Sequence, residues 1–139
     1  MSVLMVMDGQ GGGIGRTIIR RLRDAIGEEV EILALGTNSV ATSQMMKAGA
    51  NRGATGENAI VTTAPDADII IGPLGIIIAN AMMGEVTPEM SKAIGSSKAL
   101  KVLIPLTQER VEIMGLSGEP LPHLIDQVID LIKGGKQDV

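Results

Sequence analysis

A chain of 139 residues with 12 Lys and Arg against 16 Asp and Glu carries a net charge of −4 and no dense basic patch, which excludes nucleic acid as a partner. Without cysteine there is no disulfide or thiol nucleophile, and without Phe, Tyr or Trp there is no ring to stack on a base and no tyrosine acid or base. The length suits a single domain over 1–139, no basic leader precedes the first apolar run, and the longest uncharged stretch, the 16 residues from Ile69 to Gly84, is too short and too broken by glycine and proline to span a bilayer; the expectation is a cytoplasmic protein without a membrane partner.

Ser2 to Met7 is an almost continuous apolar run, the mark of a strand buried on both faces. From Gly13 to Ile26 the period becomes helical, with Ile14, Ile18, Leu22 and Ile26 on one face, Arg16, Arg20 and Arg23 on another, and Gly27 as the stop. Val30 to Leu35 is a second strand, and Gly36, Thr37 and Asn38 lead into a helix over Ser39 to Ala48 that Gly49 closes. A polar stretch from Ala50 to Asn58 follows, in which Thr55 caps a short helix ending near Pro65.

Ile69 to Ile71 is a third buried strand, ended by Gly72, Pro73, Leu74 and Gly75. Ile76 to Met83, apolar almost all round, suits a buried helix or a subunit contact, so a homodimer is expected. Thr87 and Pro88 start a helix to about Ile94, and Leu100 to Leu106 is a fourth strand. Val111 to Leu116 is expected to pair with it as a hairpin, before a final helix carrying Leu121, Leu124, Ile125, Val128, Ile129 and Ile132. Strands alternating with helices give the fold class: an α/β, three-layer Rossmann-like sandwich around a mostly parallel sheet of about five strands, the last antiparallel.

Asp8 to Gly15 reads Asp-Gly-Gln-Gly-Gly-Gly-Ile-Gly, between the first strand and the first helix. Glycines there let a ligand approach the backbone, and the unpaired N–H groups and positive end of the helix favour an anion. The spacing does not fit Gly-x-Gly-x-x-Gly, because Gln10 stands where a glycine is needed. Gly9, Gly13 and Gly15 match the Gly-x-x-x-Gly-x-Gly turn of short-chain dehydrogenases over about thirty residues, Ile14 included. That resemblance implies a nicotinamide dinucleotide, but not those enzymes' chemistry, which needs a Tyr-x-x-x-Lys pair.

The expected cofactor is therefore NADP or NAD, or failing those another phosphate-bearing small molecule. Its contacts would be Gly9, Gln10, Gly11, Gly12, Gly13, Ile14, Gly15 and Arg16 in the loop, Thr37 and Asn38 beyond the second strand, and Gly72, Pro73 and Gly75 beyond the third. Ligands bind past the carboxyl ends of such strands where the strand order reverses. NADP is favoured because Thr37 and Asn38 stand where an acid often holds the ribose hydroxyls, and Arg16 could meet a 2′-phosphate.

A P-loop reading of Gly11 to Thr17, with Thr17 on magnesium, fails at the lysine, which is Arg16, and at the spacing, which again needs glycine at Gln10. A lone His123 excludes a histidine-rich metal site and reads as a surface residue, and no metal is expected. Asp8 is assigned to holding loop amides, and Asp66 and Asp68 to a solvated turn. Asn51, Arg52, Thr55, Glu57 and Asn58 form a polar cluster in which Glu57 is the candidate proton-transfer residue, against the plainer role of an acid favouring a helix dipole.

Six segments together resemble a family of short bacterial proteins that forms a domain of unknown function: Asp8 to Gly15, Ala34 to Asn38, Ala48 to Asn51, Gly53 to Ala59, Ala67 to Pro73 and Gly75 to Asn80. The resemblance runs nearly end to end and implies no particular activity.

Overall fold

The computed structural model describes residues 2–134; Met1 and residues 135–139, the ends of the expected 1–139 domain, lie outside the described residues. Five strands form one sheet: β1 (Val3–Asp8), β2 (Glu31–Gly36), β3 (Arg52–Thr55), β4 (Ile69–Pro73) and β5 (Leu100–Ile104). They lie in the order β3-β2-β1-β4-β5, and every neighbouring pair is parallel. This is the strand order of the first five strands of the doubly wound dinucleotide-binding fold, with the reversal between β1 and β4.

Period-two alternation sends the two faces of each strand to different cores. Leu4 and Val6 of β1, Ile32 and Ala34 of β2, and Ile69 and Ile71 of β4 pack under α1 (Gly13–Ile26), α2 (Ser39–Lys47) and α5 (Leu121–Gly134). Met5, Met7, Leu35 and Ile70 point the other way, beneath α3 (Glu57–Thr63) and α4 (Pro88–Ser96). Methionine supplies three of the larger buried side chains, Met5, Met7 and Met45, which is how a core without rings is filled.

Several expectations are corrected. Val111 to Leu116 forms no strand, so the sheet has no antiparallel member. Pro105 follows β5 directly, and Glu109 turns back to accept from the Met82 N–H at 3.1 Å, so the chain leaves the sheet edge instead of returning along it. The fifth strand is β3, inside the stretch read as polar loop.

Its register against Leu33 to Gly36 is set from outside the strand. Asn51 Oδ1 accepts from the Ile32 N–H at 2.7 Å and from Arg23, whose guanidinium also donates to the carbonyls of Gly49, Gly27 and Val30. Thr55 ends β3 with its hydroxyl 2.7 Å from that of Thr42, and the residue before α3 is Gly56, so Thr55 caps nothing.

Ile76 to Met83 is likewise not a helix. A single 3-10 turn over Leu74–Ile77 gives way to tight turns, and Ile76 and Ala81 are buried within this chain. Those two residues are therefore not free for the expected homodimer contact. The Thr87 cap is as expected, its hydroxyl accepting from the Met90 N–H at 3.2 Å.

Candidate functional site

Asp8 is the last residue of β1 and shares the parity of Leu4 and Val6, so its side chain turns toward the start of α1. Oδ1 accepts from the Gly9 N–H at 2.8 Å and Oδ2 from the Gly15 N–H at 2.7 Å. The carboxylate is 4% exposed. Burial pushes its pKa up, and the amides of Gly15, Gly9 and Ile14 pull in the other direction without cancelling the rise. Asp8 thus holds the loop from within, in the structural role assigned to it.

Glu85 closes the next part of the loop. Its Oε1 accepts from the Gln10 N–H at 2.8 Å, the Thr37 hydroxyl at 2.7 Å and the Asn38 amide at 2.9 Å. Partial desolvation pushes this carboxyl up, but the three donors outweigh it and hold the pKa below the usual range. Glu85 arrives there on a strained turn, since Asn80, Met82 and Met83 all have left-handed backbone with φ of 68°, 58° and 57°. Such residues cost on the order of 1–3 kcal/mol each, and clusters of them accompany functional sites.

The amides at the front of α1 are consequently not all open, as the glycine pattern alone suggests. Gly9 and Gly15 are turned to Asp8, Gln10 to Glu85, and Gly12 to the Gly9 carbonyl. Among the described residues no acceptor meets the N–H groups of Gly11 and Gly13, which are both exposed. These are the exposed glycine amides left to an anion.

Beside the loop lies a cleft of about 420 Å³ at the carboxyl ends of β1, β4 and β5, where the strand order reverses. Asp8, Gln10 and Ile14 form one wall, Pro73 and Gly75 the base, and Met82 with Pro105 to Glu109 the other side. Another cavity, about 410 Å³, runs along β2 and β3 beside α3 and includes none of the expected site residues.

Residues 3–137 match the family described as Domain of unknown function (DUF3842). The chain belongs to that family. No curated protein matches this DUF3842 sequence significantly. Among solved structures it is similar to a dodecameric FMN-dependent UbiX-like decarboxylase from Escherichia coli O157:H7, with 16% identity over 97% of this chain and 94% of that one and a TM-score of 0.47. Among the described residues of the DUF3842 chain, no helix is long and apolar enough to cross a membrane.

Of the residues singled out in the sequence, Gln10, Ile14, Pro73 and Gly75 meet at the cleft, with Gly9, Gly11 and Gly12 in the adjoining loop and Gly13 and Gly15 in the first turn of α1. Thr37 and Asn38 stand at the far side of that loop, joined to it through Glu85, and Asn38 also donates to the Gln10 carbonyl at 3.0 Å. Gly72 sits inside β4, where an added Cβ would lie 2.4 Å from the Met7 carbonyl, so it serves strand packing. Arg16 reaches to Gln44 on α2 at 3.3 Å.

Glu57 is outside the cleft and accepts from the Thr87 hydroxyl at 2.6 Å, and the polar cluster around it is dispersed, with Arg52 paired to Glu31. Thr17 donates to the Gly13 carbonyl at 2.8 Å. His123 pairs with Glu119 on the surface. Among the described residues no three His, Cys, Asp or Glu side chains gather as a metal site.

Sequence reasoning missed Met82, Glu85 and the Thr107 to Glu109 wall. One signal for Glu85 was present: it is the first charged residue after the long uncharged stretch that ends at Gly84.

Proposed function

We propose that this protein binds a nucleotide, a nicotinamide dinucleotide before other kinds, across the loop and cleft at the carboxyl edge of the sheet. The observation that carries this reading is the cleft itself. It lies at the point of strand reversal, within the size range of small-molecule sites, and adjoins two exposed glycine amides with no protein acceptor. In this reading a phosphate oxygen takes the Gly11 and Gly13 amides at the positive end of α1, one half of the ligand enters the cleft over Pro73 and Gly75, and the ribose of the other half lies by Thr37 and Asn38.

Asp8 and Glu85 limit the charge the site accepts, because both bring a carboxyl to the loop. A triphosphate is disfavoured beside them. A binding or sensing role needs nothing more than this geometry. The alternative, a non-catalytic assembly module with a homodimer contact in the 76–83 segment, would use Ile77 and Met83, which are exposed, and not Ile76 and Ala81, which are buried.

Scanning calorimetry with NADH, NADPH, ATP and inorganic phosphate tests the proposal, since a ligand that binds only the folded state raises the melting temperature. At a ligand concentration a hundredfold above Kd the gain is about 2.7 kcal/mol. Gly13→Val abolishes that gain while leaving the fold intact, because a Cβ at Gly13 meets no atom within 4 Å. No shift with any of the four at millimolar concentration overturns the reading.

A further inference from the structure

We infer that Glu85 is the ribose-recognition carboxylate of this site and selects an unphosphorylated ribose diol over a 2′-phosphate, so that the dinucleotide is of the NAD and not the NADP kind. This rests on the nucleotide reading above. Dinucleotide-binding sheets place an acid at the end of the second strand to accept from the ribose hydroxyls. Here β2 ends at Gly36, followed by Thr37 and Asn38, neither of which can do this as an anion.

Their side chains instead both donate to Glu85 Oε1, which brings a carboxylate from the loop before α4 to the end of β2. The acid is missing from the strand and present in space. Three donors converge on Oε1 alone, while Oε2 has no partner among the described residues and the side chain is half-buried. One oxygen anchored and the other free is the arrangement that can accept a pair of ribose hydroxyls without reorganising.

A 2′-phosphate in the same place would face this charge at close range with no cation to offset it. Among the described residues no Lys or Arg bonds to Glu85, and Arg16 is directed to Gln44. The expectation of NADP, drawn from the small side chains of Thr37 and Asn38, is reversed by the residue they hold.

The strained turn fits the same purpose. Glu85 follows Asn80, Met82 and Met83, all left-handed, and Gly84 with φ 92°; its own N–H donates to the Met82 carbonyl at 3.1 Å, so its position is set before any ligand arrives.

Isothermal titration of the wild-type chain with ADP-ribose and with 2′-phospho-ADP-ribose provides the test. ADP-ribose is expected to bind at least about tenfold more tightly, the effect of a like-charge contact. In Glu85→Gln, which keeps an acceptor oxygen for Gln10, Thr37 and Asn38, the preference falls to within about threefold while the melting transition stays cooperative. Equal affinities in the wild type, a preference for the 2′-phosphate, or an undiminished preference in the variant each overturn the assignment of Glu85. Binding of neither compound at millimolar concentration overturns it together with the nucleotide reading, whereas equal binding of both leaves that reading standing. Should Glu85→Gln fail to fold, the wild-type ratio alone decides.

Discussion

Gly9, Gly12 and Gly15 differ from Gly11 and Gly13 in what surrounds them, although all five stand in one short run. A Cβ at Gly9 would lie 2.5 Å from the Thr37 hydroxyl, at Gly12 2.8 Å from the Ala41 backbone, and at Gly15 2.5 Å from Met45 Sδ, whereas at Gly11 and Gly13 it would meet nothing within 4 Å. The first three let α1, α2 and the β2 end close on one another and have their amides turned inward. The other two contribute no packing that a larger residue would disturb. A glycine cluster is therefore two features superimposed: three positions serve the fold and two face outward, where a ligand can be met.

The largest break in this comparison is expected from Gly12→Val. It combines a left-handed φ of 74° with a backbone neighbour that cannot move aside, and should cost about 2–5 kcal/mol, read as a lowered chemical-denaturation midpoint. Asp8→Asn comes next. The amide replaces one of two acceptor oxygens with a donor facing N–H groups, for a loss of about 1–3 kcal/mol.

Acid sharpens that second case. Because burial raises Asp8, the folded wild type holds its proton more tightly than the unfolded chain, so it gains stability as the pH falls through the raised value, and the gap between wild type and Asp8→Asn widens. Glu85 answers with the opposite sign. Its lowered pKa gives stability that is present above the usual carboxylate range and lost as the pH falls through the depressed value, so the gap of under about 1 kcal/mol between wild type and Glu85→Gln narrows in acid. Melting both variants and the wild type from pH 7 to about pH 3, through the usual carboxylate range and below it, distinguishes the two carboxylates, and parallel curves would remove the contrast.

The smallest effect belongs to the outward glycines. Gly13→Ala should change stability by no more than about 0.5 kcal/mol, because it opens a helix at an exposed position with free space above it. A large loss there would show that the outward pair also serves the fold.

These contrasts bear on how much could be read from residues alone. The strand at β1, the helices α1 and α5 and the Thr87 start of α4 were legible because each carries its own signal, a doubly buried apolar run, a helical apolar period or a capping residue. β3 was not, because Arg-Gly-Ala-Thr is exposed at all four positions and has no apolar alternation; it is a strand because β2 offers an edge and Asn51 and Arg23 set its start. The reverse error occurred at Val111 to Leu116, whose apolar residues lie exposed past a proline that ends the sheet. Within the site, Gln10, Ile14, Pro73 and Gly75 were found by topology, and Glu85 was missed because it lies 75 residues from the Gln10 amide it binds.

By itself the sequence determined a parallel α/β sheet without rings in its core, a glycine turn between its first strand and first helix, and an acid at the head of that turn, since period, burial and turn chemistry act over neighbouring residues. Which strand would fill the far edge, which loop amides would stay free and which carboxylate would stand at the end of β2 were decided only in the folded chain. Those depend on contacts between residues far apart in sequence, where one hydrogen-bond acceptor placed by a distant turn outweighs any local preference.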